Sequence, residues 1–324
     1  MPLPSYDELP VVEGAPPGSS WGLWGQDDVF GCLNLLTPDR VQAGASCIRT
    51  GAVFPLNLEL ELPGPPLFGR SQFTHTVHDR PSGHDDELAG WNTQSSSQWD
   101  GFRHIRHQTH GFYNGVADED HGLHHWARTG LAGRAVLADV ARWRESVGRP
   151  LRPNQSDPIE PDDLLSTINA ARVIVEPGDV LLIRTGWVSW YRSLSADERA
   201  ALAEPGALAA CGLRPGTEMA RTLWDLHPAA VAADNPALEV WPPGSLLGPD
   251  DDPDAIRSDP ARAHEFFLHF SLLPLLGLPI GELWDLDRLA DDCATDRRYT
   301  CFFSSAPLNL EKGVASPPNA IAIK

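Results

Sequence analysis

The densest polar constellation in the chain is QSSSQWDGFRH, residues 94–104. If residues 94–100 are extended, side chains alternate and Gln94, Ser96, Gln98 and Asp100 share one face. Carboxamides, a hydroxyl and a carboxylate on a buried face are costly unless a metal ion, a substrate or a dense hydrogen-bond network satisfies them. Gly101 permits a sharp turn that brings His104 back beside Asp100, where an imidazole works as a proton carrier. The competing reading is a polar surface loop with a solvated Asp and His. A second pair is His269, inside the apolar run FFLHFSLLPLL, and Glu282, which follows GLPIG. A lone histidine on an apolar helix is usually a satisfied core residue. A carboxylate at the end of an apolar run needs a cation or donors.

Other titratable clusters read as structure. His75, His78 and His84 with Asp79, Asp85 and Asp86 sit in a long loop, and His121, His124 and His125 lie beside Asp118–Asp120. Solvated loops are the simpler account of both, with metal ligation or an acidic lid as the alternative. Arg134 and Arg184 fall at strand edges and read as structural ion pairs, and Asp234-Asn235 reads as a turn. No G-x-G-x-x-G, phosphate-loop, G-x-S-x-G, H-E-x-x-H or EF-hand pattern occurs, so dinucleotide, nucleoside-triphosphate and serine-hydrolase chemistries have no support.

Composition narrows the partners. The chain has 324 residues, and 25 Lys and Arg against 44 Asp and Glu give a formal charge of −19. Such a surface repels nucleic acid and anionic lipid, which leaves a small-molecule substrate. No apolar stretch approaches the ~18 residues of a membrane span. The opening MPLPSYDELP lacks a basic region followed by an apolar run. Five cysteines without C-x-x-C spacing read as reduced, mostly buried thiols, so the expected compartment is the cytoplasm. With 28 Gly and 30 Pro, long structured loops are expected.

The elements that must position these residues are legible in outline. Residues 1–20, rich in Pro and Gly, read as an irregular arm that could lie across a partner subunit, and 21–324 as one domain. Thr37-Pro38 opens a short helix. PLNLELEL alternates and predicts a half-buried strand from Phe54 to Leu62, followed by a long aperiodic loop over 63–92. Further strands are expected at 135–138, 173–175, 180–184, 229–233, 301–304 and 320–323. Helices are expected at 161–170, after the capping box at Ser195, and at 217–226, with the longest from Asp259 to about Leu276. The irregular alternation gives an α/β or α+β domain with a mixed sheet.

Taken in order, WGLWGQDDVFGCLNLLTPDRV, SSSQWDGFRHI, HGFYNG, GLAGRAVLADVARW, EPGDVLLIRTGW, AADNPALEVWP, GLPIGELWDLDRLADDC and VASPPNAIAI resemble the putative cyclase superfamily, which includes bacterial kynurenine formamidases and isatin hydrolases. The resemblance runs from about Trp21 to Ile323 and implies a swivelling β/β/α domain assembled as a homodimer or homotetramer. The family signature H-x-G-T-H-x-D-x-P-x-H appears here as a variant, S-x-Q-W-D-x-x-x-H. Its two metal-binding histidines become Gln94 and Gln98, its Asp is Asp100, its proton-transfer His is His104, and Phe102 replaces the proline. A later His and Glu match His269 and Glu282. The resemblance thus implies a divalent ion, manganese or zinc, on Asp100, His269 and Glu282 with Gln98 as a weak further ligand. A carboxamide oxygen favours harder ions than zinc. Gln94 and Ser97 would orient a substrate, and Trp99, Phe102, Phe112 and Tyr113 would wall it. The implied activity is hydrolysis of a small cyclic or N-acyl amide. The alternatives are a metal-independent cyclase, dehydratase or isomerase using His104 and Asp100, and a non-catalytic ligand-binding relative.

Overall fold

The protein is described by a computed structural model covering residues 3–324. Its frame is one sheet of nine strands. In chain order these are β1 (Val53–Pro55), β2 (Gln98–Asp100), β3 (Leu131–Asp139), β4 (Val180–Arg184), β5 (Ala230–Ala233), β6 (Ile280–Glu282), β7 (Thr300–Ser305), β8 (Ala315–Ser316) and β9 (Ala320–Ile323). Across the sheet they run β1-β9-β7-β3-β4-β5-β6-β2-β8. The middle four, β3 to β6, are parallel. Antiparallel strands extend both sides. The mixed α/β architecture expected from the sequence is what forms.

The parallel strands are built from runs such as VLLI and AVAA, in which every residue is buried. Strands covered on both faces need that pattern. Helices Pro38–Ala45 and Pro161–Ala170 pack against β3. The first begins at Thr37-Pro38 as expected, and Ser195 closes its capping box with Glu198. Asp234, just past β5, accepts hydrogen bonds from the Thr185 and Gly186 amides and the Thr185 hydroxyl, tying the end of β4 to the next helix. Burial pushes its carboxyl up to about 6, against the pull of Arg184 and Thr185. Arg134 and Arg184 are ion-paired, to Asp179 and to Asp139 and Asp287. All five cysteines are free, and four of them are buried. Among the described residues no helix is long and apolar enough to cross a membrane.

Several expected elements differ. The strand from Phe54 ends at Pro55; burial alternates only as far as Leu58, and the chain then turns. The 63–92 loop contains a two-stranded hairpin, Thr74–Arg80 with Gly83–Ala89. On it His75, His78 and His84 make exposed pairs with Asp86, Glu87 and Asp79. His121 and His124 are buried instead of solvated: His121 Nε2 donates to the Tyr113 carbonyl, and His124 Nδ1 accepts from the Lys312 amide. Val173–Val175 pairs with no strand, and Ile174 is exposed. The arm docks on its own chain, where the Pro4 carbonyl accepts from Trp224 and His227 and Asp7 pairs with Arg221. A separate short helix, Pro253–Ser258, comes first, and the long helix expected from Asp259 is broken into Ala263–Phe266 and His269–Leu272. Phe267 takes an extended conformation between the last two, and the His269 amide turns to Glu239.

Close packing of helix Pro38–Ala45 on β3 depends on Gly44, where a methyl group would run into the Gly133 carbonyl. Helix propensity alone favours Gly44→Ala by about 1 kcal/mol. The clash reverses the sign, and urea denaturation of Gly44→Ala is expected to show a net loss of about 1–3 kcal/mol.

Candidate active site

The site is made by strand register. In the antiparallel pair β6–β2, Glu282 lies opposite Gln98, and Ile280 opposite Asp100. Directly opposed residues share a face, as do residues two apart on one strand. Gln98, Asp100 and Glu282 therefore converge on one side, and Trp99 is sent to the other. There Trp99 meets Trp284 edge-to-face at 4.7 Å and donates to the Ser305 hydroxyl. Leu283, at φ 56°, breaks the alternation after Glu282 and turns Trp284 to that opposite face. The broken helix delivers His269 to the carboxylates. Asp100, His269 and Glu282 offer ligand atoms within 4.8 Å of one another, and all three side chains are buried.

Each group is held by named partners. Both oxygens of the buried Glu239 carboxylate lie 2.9 Å from His269 Nδ1, and one also accepts from the His269 amide. His269 Nε2 faces Glu282 at 3.2 Å. Burial opposes charge on this ring, but Glu239 and then Glu282 overcome it and raise its pKa well above the usual histidine value. Burial and the neighbouring Asp100 push the Glu282 carboxyl up to about 7, against the pull of His269 and Arg70. Gln94 Nε2 donates to Asp100 at 2.7 Å and lies 3.1 Å from His104 Nδ1. That contact makes Nδ1 an acceptor and leaves the neutral ring's proton on Nε2. Burial holds His104 below the usual histidine range although Asp100 pulls the other way, so the ring is neutral at pH 7.

The residues proposed from sequence thus separate. Asp100, His269, Glu282, His104, Gln94 and Gln98 are brought together. Gln98 corrects the expectation of a weak ligand: its nitrogen, not its oxygen, faces the carboxylates, 2.5 Å from Glu282 and 3.3 Å from Asp100. Its oxygen faces Arg70 Nη1 at 3.3 Å. Ser97 donates to the Leu283 carbonyl and accepts from the Leu58 amide, a structural role. Ser96 bonds the Glu59 carbonyl. Trp99, Phe102 and Tyr113 are core residues and not substrate walls. Phe102 packs on Tyr113 and Trp126, and the Tyr113 hydroxyl reaches Asp28.

The cavity beside the polar cluster is walled by residues that the sequence does not single out. Phe68, Arg70, Ile105, Pro236, Ala237, Trp241 and Phe267 line a cavity of about 240 Å³ that reaches His104, His269 and Glu282. Phe267 stacks on His269 with ring centroids 4.3 Å apart. The only sequence signal for these residues was the long excursion 63–92 and the loop after β5. A larger hollow, about 470 Å³, lies between the arm and His107, His110 and His264, without a comparable donor cluster among the described residues.

Two carboxylates and an imidazole whose far nitrogen is anchored by a third carboxylate suit a divalent cation, since the Nδ1 contact aims Nε2 inward. As a ligand, His269 would lose the Nε2 proton, and the cation would take over the carboxylate contacts now made by the glutamine amides.

A curled mixed sheet thus carries buried polar groups on one strand pair and an apolar-walled cavity beside them, on an α/β domain. The profile of a family described as Putative cyclase matches residues 54–240, and the chain belongs to that family. A crystal structure described as a novel cyclase is 30% identical, with a TM-score of 0.76 over 94% of this chain and 99% of that one. Isatin hydrolase A from Ralstonia solanacearum shares the fold at 18% identity, with a TM-score of 0.54 over 89% of this chain and 98% of its own. Isatin hydrolase A from Labrenzia aggregata, bound to benzyl benzoate, does so at 13% and 0.53, over 88% and 97%. No curated protein matches the sequence.

The Glu239 contact has a measurable consequence. Because the folded-state pKa of His269 is raised, its proton contributes stability that is complete below about pH 6.5 and is lost as pH rises through the folded value. In metal-free Glu239→Gln the histidine loses its strongest stabilising charge. Its titration, followed by NMR at the imidazole carbons, is expected to move down, and the pH at which stability falls is expected to move with it.

Proposed function

We propose that the protein hydrolyses a small cyclic or N-acyl amide. The observation carrying this reading is that Asp100, His269, Glu282 and a neutral His104 meet beside one aromatic-walled cavity. The fold shared with isatin hydrolases adds support. A divalent ion on Asp100, His269 and Glu282 would polarise the amide carbonyl and acidify water. Phe68, Trp241 and Phe267 would clamp a flat substrate and exclude bulk solvent.

His104 is the proton-transfer residue in this reading. To receive a proton at Nε2 it must carry one on Nδ1, so Gln94 must present its oxygen there and not its nitrogen. Asp100 opposes that turn while it depends on the Gln94 amide for a hydrogen bond. With a divalent ion held on Asp100, Gln94 would no longer be needed there and its oxygen could face His104 Nδ1. His104 then takes a proton at Nε2 and returns it to the leaving nitrogen.

The second reading is acid–base catalysis of a cyclisation, dehydration or isomerisation without metal. The amides of Gln94 and Gln98 favour it, because they already satisfy Asp100 and Glu282.

Elemental analysis of untagged protein decides between them. Near-stoichiometric manganese or zinc, lost in Asp100→Ala, is the expected result, and a folded protein free of metal overturns the hydrolase reading in favour of the second. On an amide or lactam that the protein cleaves, His104→Ala is expected to lower kcat by roughly 100- to 10,000-fold with the thermal unfolding curve retained. Full activity in that variant removes His104 from both mechanisms.

A further inference from the structure

We propose that Arg70 is a carboxylate anchor, so that the molecule taken by the pocket carries an anionic carboxylate beside its aromatic or apolar body. This rests on the cavity being the substrate site, as proposed above. Arg70 lines that cavity together with His104, His269 and Glu282. Its guanidinium is already posed. Nη1 donates to the Gln94 carbonyl and to Gln98 Oε1, and the guanidinium carbon lies 4.9 Å from the Phe68 ring centroid. The other edge of the fork, Nε and Nη2, has no hydrogen-bond partner among the described residues, and none of their carboxylates is within ion-pair distance.

That is unusual for this chain. Acidic residues outnumber basic ones by 44 to 25, and half-buried arginines such as Arg103, Arg134 and Arg184 hold carboxylates; Arg199, which does not, spends its Nε and Nη2 on the Tyr191 and Arg192 carbonyls. The Nε/Nη2 edge is the one a carboxylate engages with two parallel hydrogen bonds. A guanidinium pinned at Nη1 and seated on an aromatic ring loses little freedom when it does so. Its charge also has an electrostatic task. Asp100 and Glu282 repel an entering anion, and Arg70 is close enough to Glu282 to pull its pKa down. Phe68, Trp241 and Phe267 supply the apolar surface for the rest of the ligand, Phe68 meeting Trp241 edge-to-face at 4.8 Å.

The test is calorimetric titration of the full chain with 2-acetamidobenzoate and with acetanilide, which differ by one carboxylate, both in chelator and with manganese. The expected result is tighter binding of the acid. Arg70→Met should weaken the acid by about 10- to 100-fold more than it weakens acetanilide. Arg70→Gln gives the same comparison should the methionine variant not fold. Equal binding of the two compounds by the unmodified protein overturns the proposal. So does acid binding that is indifferent to Arg70, including binding that requires only manganese. Acetate release in the same samples separates the two readings. Arg70-dependent binding without cleavage leaves the anchor standing and removes amide hydrolysis. Cleavage of both compounds alike by the unmodified protein and Arg70→Met removes the anchor and keeps hydrolysis.

Discussion

The site depends on the register of one antiparallel strand pair. β2 and β6 are three residues each, yet their alignment decides which side chains face the cavity and which the core. A slip of one residue would place the Trp99 indole among the polar groups and drive Asp100 into the hydrophobic layer occupied by Trp284 and Phe303. Neither outcome is tolerable energetically. The bulk of Trp99 therefore guards the alignment as firmly as the backbone bonds do. β6 also belongs to the parallel centre, through its pairing with β5. The parallel centre of the sheet and the candidate site thus share a strand.

The electrostatics follow from that arrangement. Asp100, Glu239 and Glu282 are buried within one small volume. They are compensated by His269, by Arg70 and by the amide hydrogens of Gln94 and Gln98. The glutamines donate where imidazoles would accept a metal, so the two occupancies compete for the same lone pairs. A divalent ion on this triad would require release of the His269 Nε2 proton, so its affinity would rise with pH. Glu239 lets either state persist, because its contact with Nδ1 suits imidazolium and neutral ligand alike.

How much of this could be read from sequence varies by physical origin. The buried runs of β3, β4 and β5, the cap at Ser195 and the helix opening at Thr37-Pro38 rest on local chemistry and are legible. So are Asp100, His104, His269 and Glu282, whose residue types and order follow the family pattern. The long helix from Asp259 is not, since its break comes from Glu239 capturing the His269 amide, a contact between residues 30 positions apart. The same holds for the aromatic walls. Trp99, Phe102 and Tyr113 sit next to the polar cluster in sequence, but alternation and packing carry them away from it. Phe68, Trp241 and Phe267 are distant in sequence and reach the cavity only through tertiary folding. Glu239 gave no warning either, being one carboxylate among many until its burial is seen.

The excursion between β1 and β2 separates two kinds of constraint within a single segment. Phe68 and Arg70 lie at its inner end, against the cavity, while the hairpin Thr74–Ala89 beyond them is exposed at nearly every residue and contributes almost nothing to the core. Hairpins of two strands without a hydrophobic face have little stability of their own. Such a segment can be shortened, lengthened or rewritten over evolutionary time with small effect on the sheet, whereas a change a few residues earlier alters what the cavity accepts. One surface excursion thus joins an outer part that the sheet does not constrain to an inner part that shapes the cavity, and the strand pair that holds Asp100 and Glu282 lies outside both.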